Sequence, residues 1–148
     1  MITSGDGIES SFRVRLAARP DVRGALEEMN ATALESVDPV LLTACRVRIA
    51  MLLGHTATLL DPALPAGLVA DLPRWPSSAR FSAAQRACLA FTEQFVVDVS
   101  SMDDATVAAV EHELGPVALM DFTHALLAVE QRIRLDLMWG RLFGAEAR

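Results

Sequence analysis

Tyrosine is absent from this chain, and aromatic residues make up only 5% of its 148 residues. Cysteine is nearly as scarce, since Cys45 and Cys88 are the only two, and each lies within an apolar segment. Buried free thiols in a reducing compartment are the interpretation we favour for this pair. Basic residues are dispersed and the net charge is −6. Nucleic-acid binding is therefore not expected, because it needs a concentrated basic face.

Long hydrophobic runs are also missing. Arg, Asp, Gly or His interrupts every apolar stretch before it reaches the 18 or more residues of a membrane span, so no membrane association is expected. Residues 1–11 lack both the basic and the apolar region of a signal peptide, which favours a cytoplasmic protein. We expect a flexible tail over residues 1–19, one domain over 20–142 and a C-terminal tail over 143–148.

Apolar residues recur every three or four positions, and no segment shows the period-two alternation of a strand. The pattern predicts an all-α, single-domain helical bundle of about six helices. Residue pairs or single residues typical of helix starts occur at Pro20-Asp21, Asp38-Pro39, Ser82, Ser101 or Asp103, and Pro116. A helical turn is possible near Leu68, and Gly115 is expected to close the fifth helix.

The second helix is predicted to start at Pro39 and to continue as far as Pro62. One stripe of it is apolar, and the other carries Arg48, Met51, His55 and Thr58. His55 is the candidate catalytic residue, because histidine titrates near neutral pH and serves as a general acid or base. On the same face Arg48 could hold an anionic group, Thr58 could donate a hydroxyl to a carbonyl, and Met51 would line the pocket. The alternative, equally favoured, is that His55 is a hydrogen-bonded histidine with no chemistry.

Residues 46–61, which read RVRIAMLLGHTATLLD, resemble the core helix of the carboxymuconolactone decarboxylase / alkyl hydroperoxidase D family. In that family the glycine is followed by Cys-x-x-Cys; the two cysteine positions fall here on His55 and Thr58. The family's upstream glutamate falls on Thr43 and its downstream histidine on Pro62. The resemblance extends over about residues 20–142, through a Trp-Pro loop with a Phe-Ser helix start (74–98), a Val-Ser-Asp-Asp-like helix (99–114) and a long last helix (116–140).

The resemblance implies an alkyl hydroperoxidase D-like bundle that assembles as a homo-oligomer, a trimer or a hexamer. A mean hydropathy of +0.32 is in keeping with an apolar surface hidden by assembly. The four departures from the family remove its nucleophile and its proton relay. Cys45 lies ten residues before His55 on the core stripe and cannot replace them. We therefore expect a protein without redox activity and without a cofactor.

Other polar residues support weaker hypotheses. His124 is a candidate substrate-binding residue, because its neighbours are apolar and the family's pocket borders this helix. No metal site is expected, since His55, His112 and His124 fall on separate helices. His112, between two glutamates, is expected to face solvent. Salt bridges to an arginine at position 46, 48 or 132 are the favoured role of Glu93 and Asp98, and surface pairs that of Asp121 with His124 and of Glu130 with Arg134.

The function that these residues favour is a cofactor-free, non-redox enzyme of small molecules, of lyase or isomerase type. Decarboxylation, isomerisation or cyclisation of an acidic or carbonyl substrate, in specialised metabolism, fits a pocket with His55 and Arg48. A non-catalytic ligand-binding or assembly protein on the same scaffold is the alternative. A thiol-dependent peroxidase is the least favoured possibility.

Overall fold

The structure is a computed structural model that describes residues 14–56 and 64–143. These residues form an all-α bundle and contain no strand, as predicted. Its α-helices are α1 (Pro20–Ser36), α2 (Pro39–Leu53), α3 (Ala66–Asp71), α4 (Ala83–Asp98), α5 (Asp104–Leu114) and α6 (Pro116–Phe143). Short 3₁₀ helices follow α3 (Leu72–Ser77) and α4 (Val99–Ser101).

The helices begin where the sequence predicts. Asp38 accepts a hydrogen bond from the amide of Leu41, and Pro39 occupies the first turn of α2. Asp103 caps α5 through the amide of Thr106. Ser82 forms a capping box at the start of α4, in which Gln85 bonds back to the Ser82 amide. Each cap satisfies a backbone donor that has no partner inside the helix.

Replacing Ser82 with alanine should lower the free energy of unfolding by about 1 kcal/mol, the usual cost of losing an N-cap oxygen. Ser82→Thr keeps that oxygen and is the matched control, for which we expect a much smaller loss. Urea unfolding at one fixed protein concentration measures both. Equal losses in the two variants would show that the hydroxyl does not act as a cap.

The second helix ends earlier than the sequence predicts, and this is a correction. It stops at Leu53, because Gly54 takes the left-handed conformation (φ 74°) that glycine adopts without a steric penalty. The amide of His55 then bonds to the carbonyl of Ala50 at 2.8 Å, which seals the helix end. His55 therefore lies beyond the helix, and the predicted two-turn spacing from Arg48 along one helical face does not hold.

The core lies where α2 meets α4 and α6. α6 also packs against α1 and α5, and α4 packs against α5. α2 is buried over most of its surface, with both Cys45 and Thr43 inside. Phe122 of α6 is fully buried and meets Phe91 of α4 edge to face, with ring centroids 5.8 Å apart. α2 thus lies at the centre of the bundle, and His55, which follows its C-terminal end, contacts α6.

Residues 14–19 include a helical turn at residues 14–15, followed by a hydrogen-bonded turn that leads into α1. The rest of the predicted N-terminal tail and the C-terminal residues 144–148 lie outside the described residues. Within the described part of the chain, none of the helices combines the length and the apolar character that crossing a bilayer requires.

Candidate functional site

His55 forms a short hydrogen bond with Asp136, which is not among the predicted site residues. Its Nε2 atom lies 2.6 Å from Oδ2 of Asp136 on α6. The His55 residue is only 4% exposed, whereas the Asp136 side chain is 20% exposed. His55 is thus held by two helices: its backbone amide bonds to a carbonyl of α2, and its ring bonds to a carboxylate of α6. We call this pair the His55–Asp136 dyad.

The position of Asp136 on α6 explains why it points inward. The buried residues Phe122, Leu126, Val129 and Ile133 recur every three or four positions along that helix. Asp136 is the next member of this series, so it lies on the core face. A carboxylate at such a position requires a polar partner, because burying an unpaired charge is costly. The inward-facing acid at an apolar position was the sequence signal that could have identified it.

A second polar cluster is centred on Glu93 of α4. Oε1 of Glu93 accepts hydrogen bonds from Nε of Arg48 at 2.6 Å and from the indole nitrogen of Trp75 at 2.7 Å. The Arg48 and Glu93 side chains are both partly exposed. The predicted salt bridge between Glu93 and an arginine is confirmed. Glu93 offsets much of the positive charge that Arg48 would offer to an anionic ligand.

Trp75 is held in place by a network at the corner between α3 and the 3₁₀ helix that follows it. The carboxylate of Asp71 accepts hydrogen bonds from Ser78 and Arg74, both at 2.7 Å. These bonds, that of Ser78 first, hold the pKa of Asp71 below its usual value. Arg86 of α4 also donates to the backbone carbonyl of Ser78, so the corner is fixed to the helix that carries Glu93. We interpret this network as structural.

The structure separates some of the predicted site residues. Arg48 is engaged by α4, and His55 is engaged by α6. Met51 is partly buried, with its sulfur 4.0 Å from Nη1 of Arg48, and it packs against the core. Thr58 lies outside the described residues, as does Pro62. Arg48 therefore contacts both Met51 and α4, whereas His55 contacts Asp136 on α6.

His124 belongs to a different part of the surface. It is exposed on α6 and lines an open groove of about 490 Å³ between α1 and α6, together with Asp121 and Glu28. Twelve residues separate His124 from Asp136, which corresponds to about 18 Å along the helix axis. The fold therefore does not bring His124 and the dyad together in one pocket.

The remaining predicted polar contacts have mixed outcomes. Glu130 and Arg134 do form a pair, at 2.8 Å, although Glu130 is buried and not on the surface as expected. The salt-bridge prediction for Asp98 is wrong, since its carboxylate accepts hydrogen bonds from Ser100 and Ser101, which cap the turn after α4. These bonds lower the pKa of Asp98. His112 is exposed, as predicted.

Both cysteines are free and completely buried, as predicted. Burial raises the pKa of Cys45 to about 12, and it also raises the pKa of Cys88. A thiol with so high a pKa is protonated at neutral pH, whereas the thiolate is the reactive form. Neither cysteine has the environment of a redox nucleophile. In residues 14–56 and 64–143, no three His, Cys, Asp or Glu side chains gather to hold a metal ion.

We expect neither cysteine to react with Ellman's reagent in the folded protein at pH 8, because both thiols are buried and remain protonated. In guanidinium chloride both should react. The time course of absorbance at the two conditions measures this. Immediate reaction of one thiol in the folded protein would contradict the structural role that we assign to the pair.

Comparison with known proteins adds no assignment: no protein-family model matches this chain, and no curated protein matches it significantly. The site must be interpreted from its own residues.

Proposed function

We propose that this chain is a cofactor-free, non-redox enzyme of small molecules in which the His55–Asp136 dyad is the general acid–base. We also propose that it is a divergent member of the carboxymuconolactone decarboxylase / alkyl hydroperoxidase D family, acting in the cytoplasm. The observation that carries the functional proposal is the 2.6 Å contact between an almost fully buried imidazole and a carboxylate. A carboxylate that holds an imidazole in one orientation is the arrangement that prepares histidine for proton transfer.

The chemistry suited to the dyad is proton transfer at a carbon next to a carbonyl. As a base, the dyad would remove that proton and leave an enolate, and as an acid it would return a proton to a carbon or oxygen of the same substrate. Return at a different atom is an isomerisation. In a decarboxylation, loss of carbon dioxide forms the enolate and the dyad supplies the proton that replaces the carboxyl group. Neither sequence of steps needs an oxidant or a reductant.

Arg48 can bind an acidic substrate through only part of its guanidinium group. Its Nε atom is committed to Glu93, so an anionic group would have to bind the terminal nitrogens of the guanidinium. The nearby Met51 side chain would provide apolar contact. We therefore assign Arg48 to substrate binding and the dyad to chemistry.

The test is hydrogen–deuterium exchange in D₂O, followed by proton NMR, with two probes: a β-keto acid and an unsaturated γ-lactone carboxylic acid. The proposal predicts that the protein accelerates exchange next to the carbonyl, or loss of carbon dioxide, in at least one of them. Acceleration must be retained when Cys45 and Cys88 are both replaced by alanine. No acceleration with both probes would contradict the proposed substrate class.

A non-catalytic ligand-binding or assembly protein is the second candidate. The observation that favours it is also the burial of His55, since a histidine that is 4% exposed and paired with a carboxylate can serve as a structural tie between the end of α2 and α6. On this alternative, a probe that binds, as seen by calorimetry, would not be turned over. Replacing His55 would then lower stability and leave binding at other surfaces unchanged.

A further inference from the structure

The longest helix carries an exposed apolar stripe that no described helix covers. On α6, Val117, Met120, Leu127 and Met138 are all exposed, by 76%, 57%, 49% and 46% respectively. Between them lie three exposed polar residues on the same line, His124, Gln131 and Arg134. We call these seven residues the α6 stripe.

The spacing of the α6 stripe is that of a helix–helix seam. Its members are spaced by three, four, three, four, three and four residues, which is the a/d pattern of three consecutive heptads, with Met138 at the first position of a fourth. At 100° per residue, all seven fall within about one third of the helix circumference. Scattered surface hydrophobics need no explanation, but four exposed apolar side chains at a/d positions on one face of one helix are typical of a surface that packs against another helix.

Charge is distributed unevenly along this face. Asp121 is exposed beside the N-terminal half of the stripe, whereas Arg134 is exposed in its C-terminal half and Arg141 just beyond its end. The midpoint of the stripe, between Val117 and Met138, falls next to Leu127. If two stripes overlie each other in opposite directions about this midpoint, Asp121 of one helix lies at the same level as Arg134 of the other. Arg134 bonds Glu130 of its own helix through Nε and Nη2, and its side chain remains 52% exposed for a second contact. In a parallel pair, each charge would instead lie at the level of an identical charge.

We propose that the α6 stripe is the contact between two copies of this chain, which pair antiparallel about a twofold axis close to Leu127. Packed helices lie 8–10 Å apart, a distance at which opposite charges at one level still attract at physiological salt. The two-fold arrangement is self-complementary, as an isologous interface requires. His124, Gln131 and Arg134 interrupt the apolar seam and would fix its register at some cost in affinity.

The shape of the helix surface is consistent with this pairing. A depression of about 390 Å³ runs along α6 itself and is lined by residues that include Leu127, Gln131, Arg134 and Met138. Its lining also includes Glu130, and Leu127, Glu130, Gln131 and Arg134, at i, i+3, i+4 and i+7, surround a hole of the kind into which a side chain of a facing helix inserts. In the proposed pair, the side chains of the partner's N-terminal half would occupy it.

This contact goes beyond the oligomer expected from sequence. A twofold contact is compatible with a hexamer built from two trimers, and it is incompatible with a simple trimer, whose contacts are cyclic. It does not depend on the proposed chemistry, because the dyad faces the core side of α6 and the stripe faces away from it.

The first test measures mass by light scattering at micromolar concentration. Leu127→Glu places two like charges next to the twofold axis and should halve the mass of the assembly. Val97→Glu is the matched control, since Val97 is 72% exposed on α4 and outside the stripe. We expect it to leave the mass unchanged. Circular dichroism melting checks that both variants remain folded, which the exposure of both positions favours.

The second test determines the orientation of the two helices with variants that each carry one added surface cysteine. A short thiol–thiol cross-linker joins these added cysteines and cannot reach the buried native ones. In the antiparallel pair, two copies of residue 117 lie about 31 Å apart, so Val117→Cys alone should not cross-link. A mixture of Val117→Cys and Met138→Cys should give the cross-linked dimer. Cross-linking of Val117→Cys with itself would overturn the antiparallel arrangement.

Other outcomes would also overturn the proposal. A wild-type mass equal to one 16.0 kDa chain would show that the stripe has no second copy to bind. An assembly with an odd number of chains would exclude the isologous contact, as would an even-numbered assembly that is unaffected by Leu127→Glu.

Discussion

Replacing His55 with glutamine should lower kcat/KM on any probe that the wild-type protein turns over by a factor of about 10²–10⁴, the usual contribution of a general acid–base. The glutamine amide nitrogen can occupy the position of Nε2 and donate to Asp136, so the tie between the end of α2 and α6 is retained. Glutamine does not titrate, so proton transfer is lost. NMR exchange rates and thermal melting, measured on the same preparation, test both statements.

His55→Ala is the informative companion to that variant. It removes the contact with Asp136 as well as the base, so it should lose both activity and some stability. Full activity in His55→Gln would show that His55 is structural and would direct attention to His124 and the α1–α6 groove. Loss of stability without loss of activity in His55→Ala would show that His55 is a structural tie and that the chemistry takes place elsewhere.

Replacing Phe122 with alanine should lower the free energy of unfolding by about 3–5 kcal/mol. Phe122 is fully buried at the junction of α6 and α4, and its ring meets Phe91 edge to face. Truncation therefore removes apolar contacts and leaves a cavity that the surrounding helices can fill only in part. Urea unfolding at a fixed protein concentration measures the loss.

The control for this prediction is Val97→Ala, on the exposed surface of α4. It should change stability by no more than about 0.5 kcal/mol, the usual range for surface substitutions. A similar small change in Phe122→Ala would show that the helices repack around the missing ring and that the junction of α4 and α6 is not rigid.

The helix starts were predictable because each depends on local chemistry. The side chains of Asp38, Ser82 and Asp103 cap the helices that follow them, and proline occupies the first position after Asp38. The helix end at Leu53 is also set by a local residue. Pro62 predicts a later end, but Gly54 takes the left-handed conformation and ends the helix first.

The candidate site was predictable only in part, because its contacts join distant segments. The chemistry of histidine points to His55, but its partner Asp136 lies 81 residues later and no local pattern links the two. The pairing follows from two facts that sequence shows separately: an acid on the apolar face of α6 and a polar residue directly after a helix-ending glycine. Glu93 was correctly paired with an arginine, since few partners exist for a partly buried acid.

The central claim is that His55 and Asp136 act as one unit in proton transfer, and a double-mutant cycle tests it most directly. The measurement is kcat/KM for the wild-type protein, His55→Gln, Asp136→Asn and the double variant on one probe. Residues that act as a unit are strongly non-additive, so the double variant should be no slower than His55→Gln alone. Additive losses, or full activity in Asp136→Asn, would contradict the claim.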